Sequence, residues 1–189
     1  MAQIGLKYLR YSLLDADGKY TGAKTLGRAI ETKVNPTVAE GKLYADDTVA
    51  ESVEEVTGGT VEITVDGLDP STYAEIMGHE YSQQDNIIKR NRNAIAPFIG
   101  MGRVITLFRN NTRSYKVEFL NKVKFKDNLP EEKTKGENIE FGTPTFSGNF
   151  YVMDNGYWSE TGFFDTVEEA QAYLDGLMAT PQPSPQPLP

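Results

Sequence analysis

Two adjacent carboxylates, Asp46 and Asp47, are the residues of this chain that most resemble a catalytic or metal-binding pair. Paired carboxylates can hold a divalent cation or share a proton. Consecutive residues of a strand point to opposite faces, however, so both can meet one ion only if the chain turns there. No residue at a suitable spacing completes a metal site. We therefore expect no metal and no other cofactor, and we interpret the pair as part of a longer acidic ribbon.

The other candidate motifs for chemistry are incomplete. His79 is the only histidine, and "HEYSQ" has Gln83 where a zinc-binding helix needs its second histidine, so His79 should be a surface or core residue. "DADGKY" begins like a calcium loop but places Lys19 and Tyr20 at ligand and glycine positions, which predicts a plain turn. The chain has no cysteine, which excludes disulfides and thiolate chemistry. The sequence does not predict an enzyme.

The charges of the chain fall into two blocks of opposite sign. Glu31 to Asp69 holds ten acidic residues and two lysines, a net charge of −8. Asn86 to Lys126 holds ten basic residues and one acid, a net charge of +9. Separate patches of opposite sign on one molecule favour ordered self-association or internal pairing.

The basic block has two interpretations. It contains "IIKRNRN", but few aromatic residues interleave with these cations and the chain is acidic overall, which argues against a nucleic-acid footprint. The lysines of "SYKVEFLNKVKFK" form either a solvated strand face or a contact between subunits. The candidate interface residues are Lys89, Arg90, Arg92, Lys116, Lys122, Lys124 and Lys126.

Alternation of apolar and polar residues with period 2 dominates the sequence and predicts β-strands. "TLGRAIETKV" should form one strand that ends before Pro36, and the "VEITV" strand should start at a Gly58–Gly59 turn. "RVITLFR" and "SYKVEFLNKVKFK" should form a hairpin across "NNTR", and "ENIEFGTPTFSGNFYVM" should add a bent strand. We expect the apolar residues of the long strand to share one face: Tyr115, Val117, Phe119, Val123 and Phe125.

Two short helices complete the pattern. "DPSTYAEIMG" places Asp69 as the N-cap, Pro70 at the first helical position and Gly78 as the stop. "TVEEAQAYLDGLM" has capping-box spacing at Thr166 and Glu169, followed by an apolar stripe that suits packing on a sheet. The predicted fold is mainly β with minor α: an antiparallel β-sandwich or barrel with two short helices.

The 189 residues suffice for one domain, which we place at 1–179, followed by a Pro-rich arm at 180–189. The arm, "PQPSPQPLP" after a threonine, should run as extended polyproline II. No apolar run reaches membrane-spanning length, so we expect a soluble protein without a membrane partner.

Five segments carry a family resemblance. In order along the chain they are "GKLYADDTVAE", "GGTVEITVDGLD", "APFIGMGRV", "GTPTFSGNFYVMDNGYW" and "FDTVEEAQAYL". Their succession, to about Met178, resembles the major tail tube proteins of long-tailed (siphovirus-type) phages of Gram-positive hosts. No single segment carries the resemblance, and it ends before the Pro-rich arm.

The resemblance implies a β-sandwich shared with other tail tubes and with the tube protein of type VI secretion systems. Such subunits form hexameric rings that stack into a tube, and their strands join into one β-barrel around the lumen. It further implies a virion protein of the tail, assembled in the host cytoplasm, with itself and the tape measure, tail terminator and distal tail proteins as partners. Genomic DNA would pass through the lumen without sequence-specific binding.

An acidic lumen would repel the anionic duplex and ease its passage, whereas a basic lumen would hold it. The candidate lumen-lining acids are Glu31, Glu40, Asp46, Asp47, Glu51, Glu54, Glu55 and Glu62. The alternative function is a β-sandwich carbohydrate- or surface-binding module, for which Tyr151, Tyr157 and Trp158 are the obvious aromatic group. A hydrolase is a third alternative and would need two carboxylates about 5 to 10 Å apart in a cleft.

Overall fold

The structure, a computed structural model, describes residues 2–45, 48–127 and 142–179 and is mainly antiparallel β with two short helices, as predicted. The strands are β1 (Ala2–Leu13), β2 (Lys24–Gly27), β3 (Ala29–Ala45), β4 (Thr48–Val65), β5 (Glu80–Ser82), β6 (Ile87–Lys89), β7 (Ile99–Arg109), β8 (Thr112–Phe125), β9 (Thr145–Tyr151) and β10 (Ser159–Phe164). The helices are α1 (Pro70–Met77) and α2 (Val167–Ala179). Within the described residues, neither helix has the length and apolar character needed to cross a membrane. The Pro-rich arm at 180–189 lies outside the described residues.

Eight strands form one sheet in the order β2-β1-β7-β8-β9-β4-β3, with β10 also paired to β8. Two strands share one edge of β8: β10 pairs with Tyr115 to Leu120, and β9 pairs with Val123 to Phe125. The sheet is thereby split into a first leaf, β2-β1-β7-β8-β10, and a second leaf, β9-β4-β3. The main hydrophobic core contains residues from both leaves and from α1, an arrangement compatible with a β-sandwich.

A second, smaller core lies between the first leaf and helix α2. Ala170, Leu174 and Met178 of the helix are fully buried there, together with Val104 and Val117 of the sheet. The helix begins as predicted, because the Thr166 hydroxyl accepts a hydrogen bond from the Glu169 N–H at 3.3 Å. The predicted apolar stripe therefore does pack on the sheet of its own subunit.

The prediction that the apolar residues of β8 share one face is wrong. Val117 and Phe119 contact the α2 core, whereas Val123 and Phe125 lie in the main core on the other side of the strand. The register between β7 and β8 shifts after Leu120, where Asn121 and Lys122 of β8 stand against the single residue Gly100 of β7. A bulge of this kind turns the following side chains to the opposite face.

The predicted strand "TLGRAIETKV" is interrupted, because β2 ends at Gly27 and β3 begins at Ala29. The predicted stop at Pro36 is also wrong, since β3 continues through this proline, which lies opposite Gly59 of β4. Strand β3 is the last strand of its leaf. An edge strand tolerates proline because the missing N–H can fall on the side that makes no ladder.

The Gly58–Gly59 pair is inside β4 and does not form a turn, contrary to the prediction. A Cβ on Gly59 would lie 2.3 Å from the Asn35 carbonyl oxygen and 2.4 Å from the Phe150 ring. The Phe150 side chain is buried in the main core. Gly59 is therefore required because another backbone and a fixed ring approach it closely.

Gly59→Ala should lower the free energy of unfolding by about 2 kcal/mol, because neither the Asn35 backbone nor the buried Phe150 ring can move freely. Gly41→Ala in β3 is the matched control, since nothing lies within 4 Å of its added Cβ. Urea unfolding of the two variants measures the difference. Equal midpoints for the two would contradict the close approach at Gly59.

The β7–β8 turn, the "DADGKY" turn and the Gly78 end of α1 are confirmed, whereas Asp69 precedes α1 without a side-chain cap hydrogen bond. Asn110 and Asn111 both have positive φ, 49° and 61°, at the β7–β8 hairpin turn. The Asp15 carboxylate accepts hydrogen bonds from the N–H groups of Asp17 and Lys19, which closes the "DADGKY" turn. Gly78 ends α1 in the left-handed conformation with φ 73°. The sequence predicts these features because each depends only on neighbouring residues.

Buried tyrosines make the fold sensitive to alkali. Burial raises the pKa of Tyr11 and Tyr20 well above the ordinary value, and the nearby Glu75 carboxylate adds to the rise at Tyr11. Both hydroxyls stay protonated in the folded state above about pH 10, where the unfolded chain ionises them. Their contribution to stability is therefore complete below about pH 10 and is lost as the pH rises towards the folded pKa values.

We expect the free energy of unfolding to fall above about pH 10 by up to about 1.4 kcal/mol per pH unit for each such tyrosine. Urea unfolding between pH 8 and pH 11 measures this slope. Tyr11→Phe should reduce this slope by the contribution of one tyrosine. An unchanged slope in this variant would contradict the assignment of the slope to buried tyrosines. Tyr157→Phe is the control, because that side chain is 65% exposed.

Candidate assembly surfaces

The hairpin of β3 and β4 extends beyond the body of the protein. Its pairing continues to Ala45 opposite Thr48, whereas β9 covers β4 only from Gly58 to Thr64. We call residues 39–55 the hairpin arm. Every side chain described in this arm is exposed, and Val53 is 57% exposed. Strands of this length reach about 20 Å, so the arm is a projection in which, as far as the structure describes it, the two strands pair only with each other.

The acids of the hairpin lie on both of its faces. Val34 and Val56 pack against the main core, and Val38 stands opposite Val56. Two residues further along each strand, Glu40 and Glu54 stand opposite each other on this core-side face. Two carboxylates directly across a strand pair repel each other.

The other face of the second leaf also carries acids. Val61 and Ile63 point into the core, so Glu62 points away from it, and Lys33 stands opposite Glu62. The Lys33 ammonium lies 3.4 Å from the Glu31 carboxylate. Glu55 follows Glu54 and therefore lies on this outer face of the leaf with Glu31 and Glu62.

The structure thus divides the predicted acidic ribbon between two surfaces. Asp46 and Asp47 lie outside the described residues, and Glu51 belongs to β4, opposite Leu43. The sequence could not separate the faces, because a register shift between Thr37 and Val38 displaces one strand against the other. We define the outer acidic face by Glu31, Glu55 and Glu62.

The predicted basic strand is divided too. Lys122 and Lys124 lie over the Phe98 ring, with ammonium-to-centroid distances of 4.6 and 5.3 Å. The same ring contacts Tyr151 in a T-shaped arrangement, with centroids 5.5 Å apart. We call Phe98, Lys122, Lys124 and Tyr151 the basic aromatic patch. Sequence reasoning missed Phe98, since its contact with the lysines depends on the β7–β8 pairing.

Lys116 belongs to a different environment. Its ammonium donates to Glu118 at 2.5 Å, and Arg103 donates to the other oxygen of the same carboxylate. Burial lowers the pKa of Arg103, while the Glu118 carboxylate opposes this change. Lys116 is therefore held by an internal ion pair. The signal for this cluster was a single arginine inside the apolar run "GMGRVI".

The remaining predicted basic residues do not join the patch. Lys89 stands opposite Glu80 in the β5–β6 pair, and Arg90 lies 5.5 Å from the Tyr73 ring centroid. Arg92 and Lys126 are exposed. The basic block thus forms several small surfaces instead of one continuous stripe.

His79 and two neighbours form a polar cluster at the end of α1. The His79 Nε2 and the Tyr73 hydroxyl each contact one oxygen of Asp127 at 2.9 Å. The histidine side chain is 3% exposed, which matches the prediction of a surface or core histidine. In the part of the chain that the structure covers, no group of three potential metal ligands comes together.

The three aromatic residues predicted for a carbohydrate- or surface-binding module do not lie together. Trp158 stacks on the buried Phe150 ring, with centroids 5.0 Å apart and planes at 24°. Tyr151 contacts Phe98, while Tyr157 is 65% exposed. A sugar-binding platform needs aromatic faces that are open side by side, and Trp158 presents one face to the core instead.

Three strands end the sheet. Among the described residues, β2, β3 and β10 each pair along one edge only. The open backbone groups of an edge can pair with a strand of another chain. Strand β3 is the longest of the three, with 17 residues, and it continues into the hairpin arm.

No protein-family model matches this chain, and the curated proteins contain no match to it either.

Proposed function

We propose that the protein is a structural subunit that polymerises, as stacked hexameric rings, into the tube of a phage tail. The observation that carries the proposal is the hairpin arm, which projects from the body and exposes acidic residues on both of its faces and Val53 on the outer one. An isolated two-stranded hairpin is marginally stable in water. An arm of this length therefore suits a surface that another subunit covers.

The free edges support the same proposal. A strand of a neighbouring subunit that pairs with β3 or β10 would continue the sheet from one copy to the next. Closing such a sheet into a ring removes every exposed edge, which is the usual protection against uncontrolled aggregation. The second leaf would then contribute its outer face to one surface of the ring.

The outer acidic face is our candidate for the lumen. Three acids and Lys33 give it a net charge of −2 per subunit, and six-fold symmetry repeats this charge around each ring. Duplex DNA carries about one negative charge per 1.7 Å of helix axis, so such a wall would repel it along the whole path. Glu40 and Glu54 lie on the opposite face, where the Glu40 carboxylate lies 3.1 Å from the Lys42 ammonium of its own chain.

Negative-stain electron microscopy of the purified protein at increasing concentration tests the proposal. We expect monomers or weak oligomers in dilute solution, and rings or hollow tubes above a critical concentration. Sedimentation velocity gives the critical concentration independently. A protein that stays monomeric at high concentration, with the circular dichroism of a folded β protein, would contradict the proposal.

The basic aromatic patch gives a charge-reversal prediction. Lys122→Glu with Lys124→Glu should raise the critical concentration about tenfold or more while leaving the monomer folded, because exposed pairs contribute up to about 1 kcal/mol each and a ring repeats every contact. Lys19→Glu with Arg109→Glu changes the net charge equally at two exposed positions, one of them the last residue of β7, and is the control. Normal assembly of the first variant would show that these lysines are a solvated face.

A further inference from the structure

A cavity of about 600 Å³ lies between the two leaves. Strand β3 of the second leaf lines one side with Thr32 and Val34, and the first leaf lines the other with Arg103, Ile105 and Glu118. Trp158 also contributes to its wall. The cavity thus combines apolar walls with a small charged cluster.

Two polar atoms in this cavity have no hydrogen-bond partner among the described residues. Arg103 is 6% exposed, and its Nη2 donates to Glu118, but its Nη1 has no hydrogen-bond partner among the described residues. The Thr32 hydroxyl, from the opposite leaf, is buried and also makes no hydrogen bond within the described part of the chain. A buried donor without an acceptor is costly, and more so on a charged group.

The charges of the cluster favour an anion. Arg103 and Lys116 are both bound to the one carboxylate of Glu118, which leaves one positive charge in excess. The guanidinium is the side chain best suited to recognising a planar carboxylate, and the Arg103 Nη1 makes no hydrogen bond to a described residue. Ile105 and Val34 offer an apolar surface beside it.

We propose that this cavity is a binding site for a carboxylate carried on a short apolar stem, held by Arg103 Nη1 and the Thr32 hydroxyl. Two sources share this chemistry: a free aliphatic carboxylic acid, and an acidic side chain of a second copy of the chain. Both use the same atoms of the cavity. The site itself does not depend on tube formation, because one copy supplies every residue named here.

The probe is pentanoate, titrated into the dilute ¹⁵N-labelled protein and followed by NMR. We expect saturable shifts of the Trp158 indole N–H and of the Arg103 side-chain N–H, with a Kd on the order of 1 mM for a ligand of so few atoms. Pentanol is the matched control, because it has the same stem without the charge. Absence of saturable shifts with pentanoate, or equal shifts with pentanol, would overturn the proposal.

Variants assign the two contacts. Arg103→Met should weaken pentanoate binding at least tenfold, whereas Arg113→Met, at an exposed position of β8, should leave it unchanged. Equal affinities of the two variants would overturn the role of Arg103. If Arg103→Met does not fold, Thr32→Val tests the site instead, because it removes only the unpaired hydroxyl. We expect it to weaken pentanoate binding several-fold. Full affinity in Thr32→Val would then overturn the site.

Assembly distinguishes the two sources. If an acidic side chain of a second copy is the natural ligand, saturating pentanoate should raise the critical concentration for assembly and pentanol should not. If a free acid is the ligand, assembly should be the same with and without pentanoate. Both results support the carboxylate site. Failure of the protein to assemble at all would bear on the proposed function, whereas the NMR titration tests the site in the monomer.

Discussion

Replacing the hairpin arm, residues 39–55, with an Asn-Gly turn should abolish tube formation and leave the monomer folded. Val38 and Val56 stand opposite each other at the base of the arm, so a two-residue turn can join them without moving the rest of the hairpin. Among the described side chains of the hairpin arm, none belongs to either core. Its loss should therefore change the melting temperature of the monomer little.

The expected effect on assembly is large because every described side chain of the hairpin arm is exposed in the single subunit. Every copy in a ring would lose the same contact at once. We expect no tubes at concentrations at least about ten times the critical concentration of the unaltered protein, which corresponds to a loss of about 1.4 kcal/mol or more per contact. Sedimentation velocity and electron microscopy on the same samples measure this result.

Two controls separate the causes. Val53→Ser keeps the length of the arm and removes one exposed apolar side chain, so assembly should weaken without being abolished. Glu40→Gln with Glu54→Gln keeps the shape and removes the facing carboxylates of the core-side face. Tubes of normal stability from the shortened protein would show that the hairpin arm makes no contact between subunits and that the interface lies elsewhere.

The sequence predicts the parts of this fold that depend on neighbouring residues. The helix α2 follows from its cap and its apolar spacing, and the β7–β8 turn follows from Asn110 and Asn111. The mainly β class follows from the period-2 alternation of apolar and polar residues. Each of these signals is complete within about a dozen residues.

The features that the sequence does not predict depend on strands that are distant in the chain. The bulge in β8 arises from its register with β7, and it moves Val123 and Phe125 to the opposite face from Val117 and Phe119. The continuation of β3 through Pro36 depends on the position of that strand at an edge. Alternation gives the period of a strand, but the pairing partner sets which face each side chain takes.

The same limit applies to the candidate surfaces. The acidic ribbon looks continuous in sequence, yet Glu40 and Glu54 lie on the opposite face from Glu31 and Glu62. The Arg103 cavity gave no pattern beyond one arginine among apolar residues, because its walls come from five strands or their flanks. The charge totals predict that a charged surface exists, whereas the strand pairing determines on which face of the sheet it lies.

Leu174→Ala should lower the free energy of unfolding of the monomer by about 2 to 5 kcal/mol, the range for a large aliphatic side chain removed from a core. Leu174 is fully buried and lies at the centre of the contact between α2 and the first leaf. The leaf allows this close contact through Gly102, since a Cβ there would lie 2.3 Å from the Leu174 Cδ1.

Urea unfolding of the dilute monomer measures the effect, so that assembly does not contribute to the stability. Leu177→Ala is the matched control, because it makes the same change on the same helix at a partly buried position and should cost less. Equal losses for the two variants would place the centre of the contact elsewhere. A Leu174→Ala monomer with unchanged stability but defective assembly would mean that α2 packs on a neighbouring subunit, because only a contact made between copies escapes detection in the monomer.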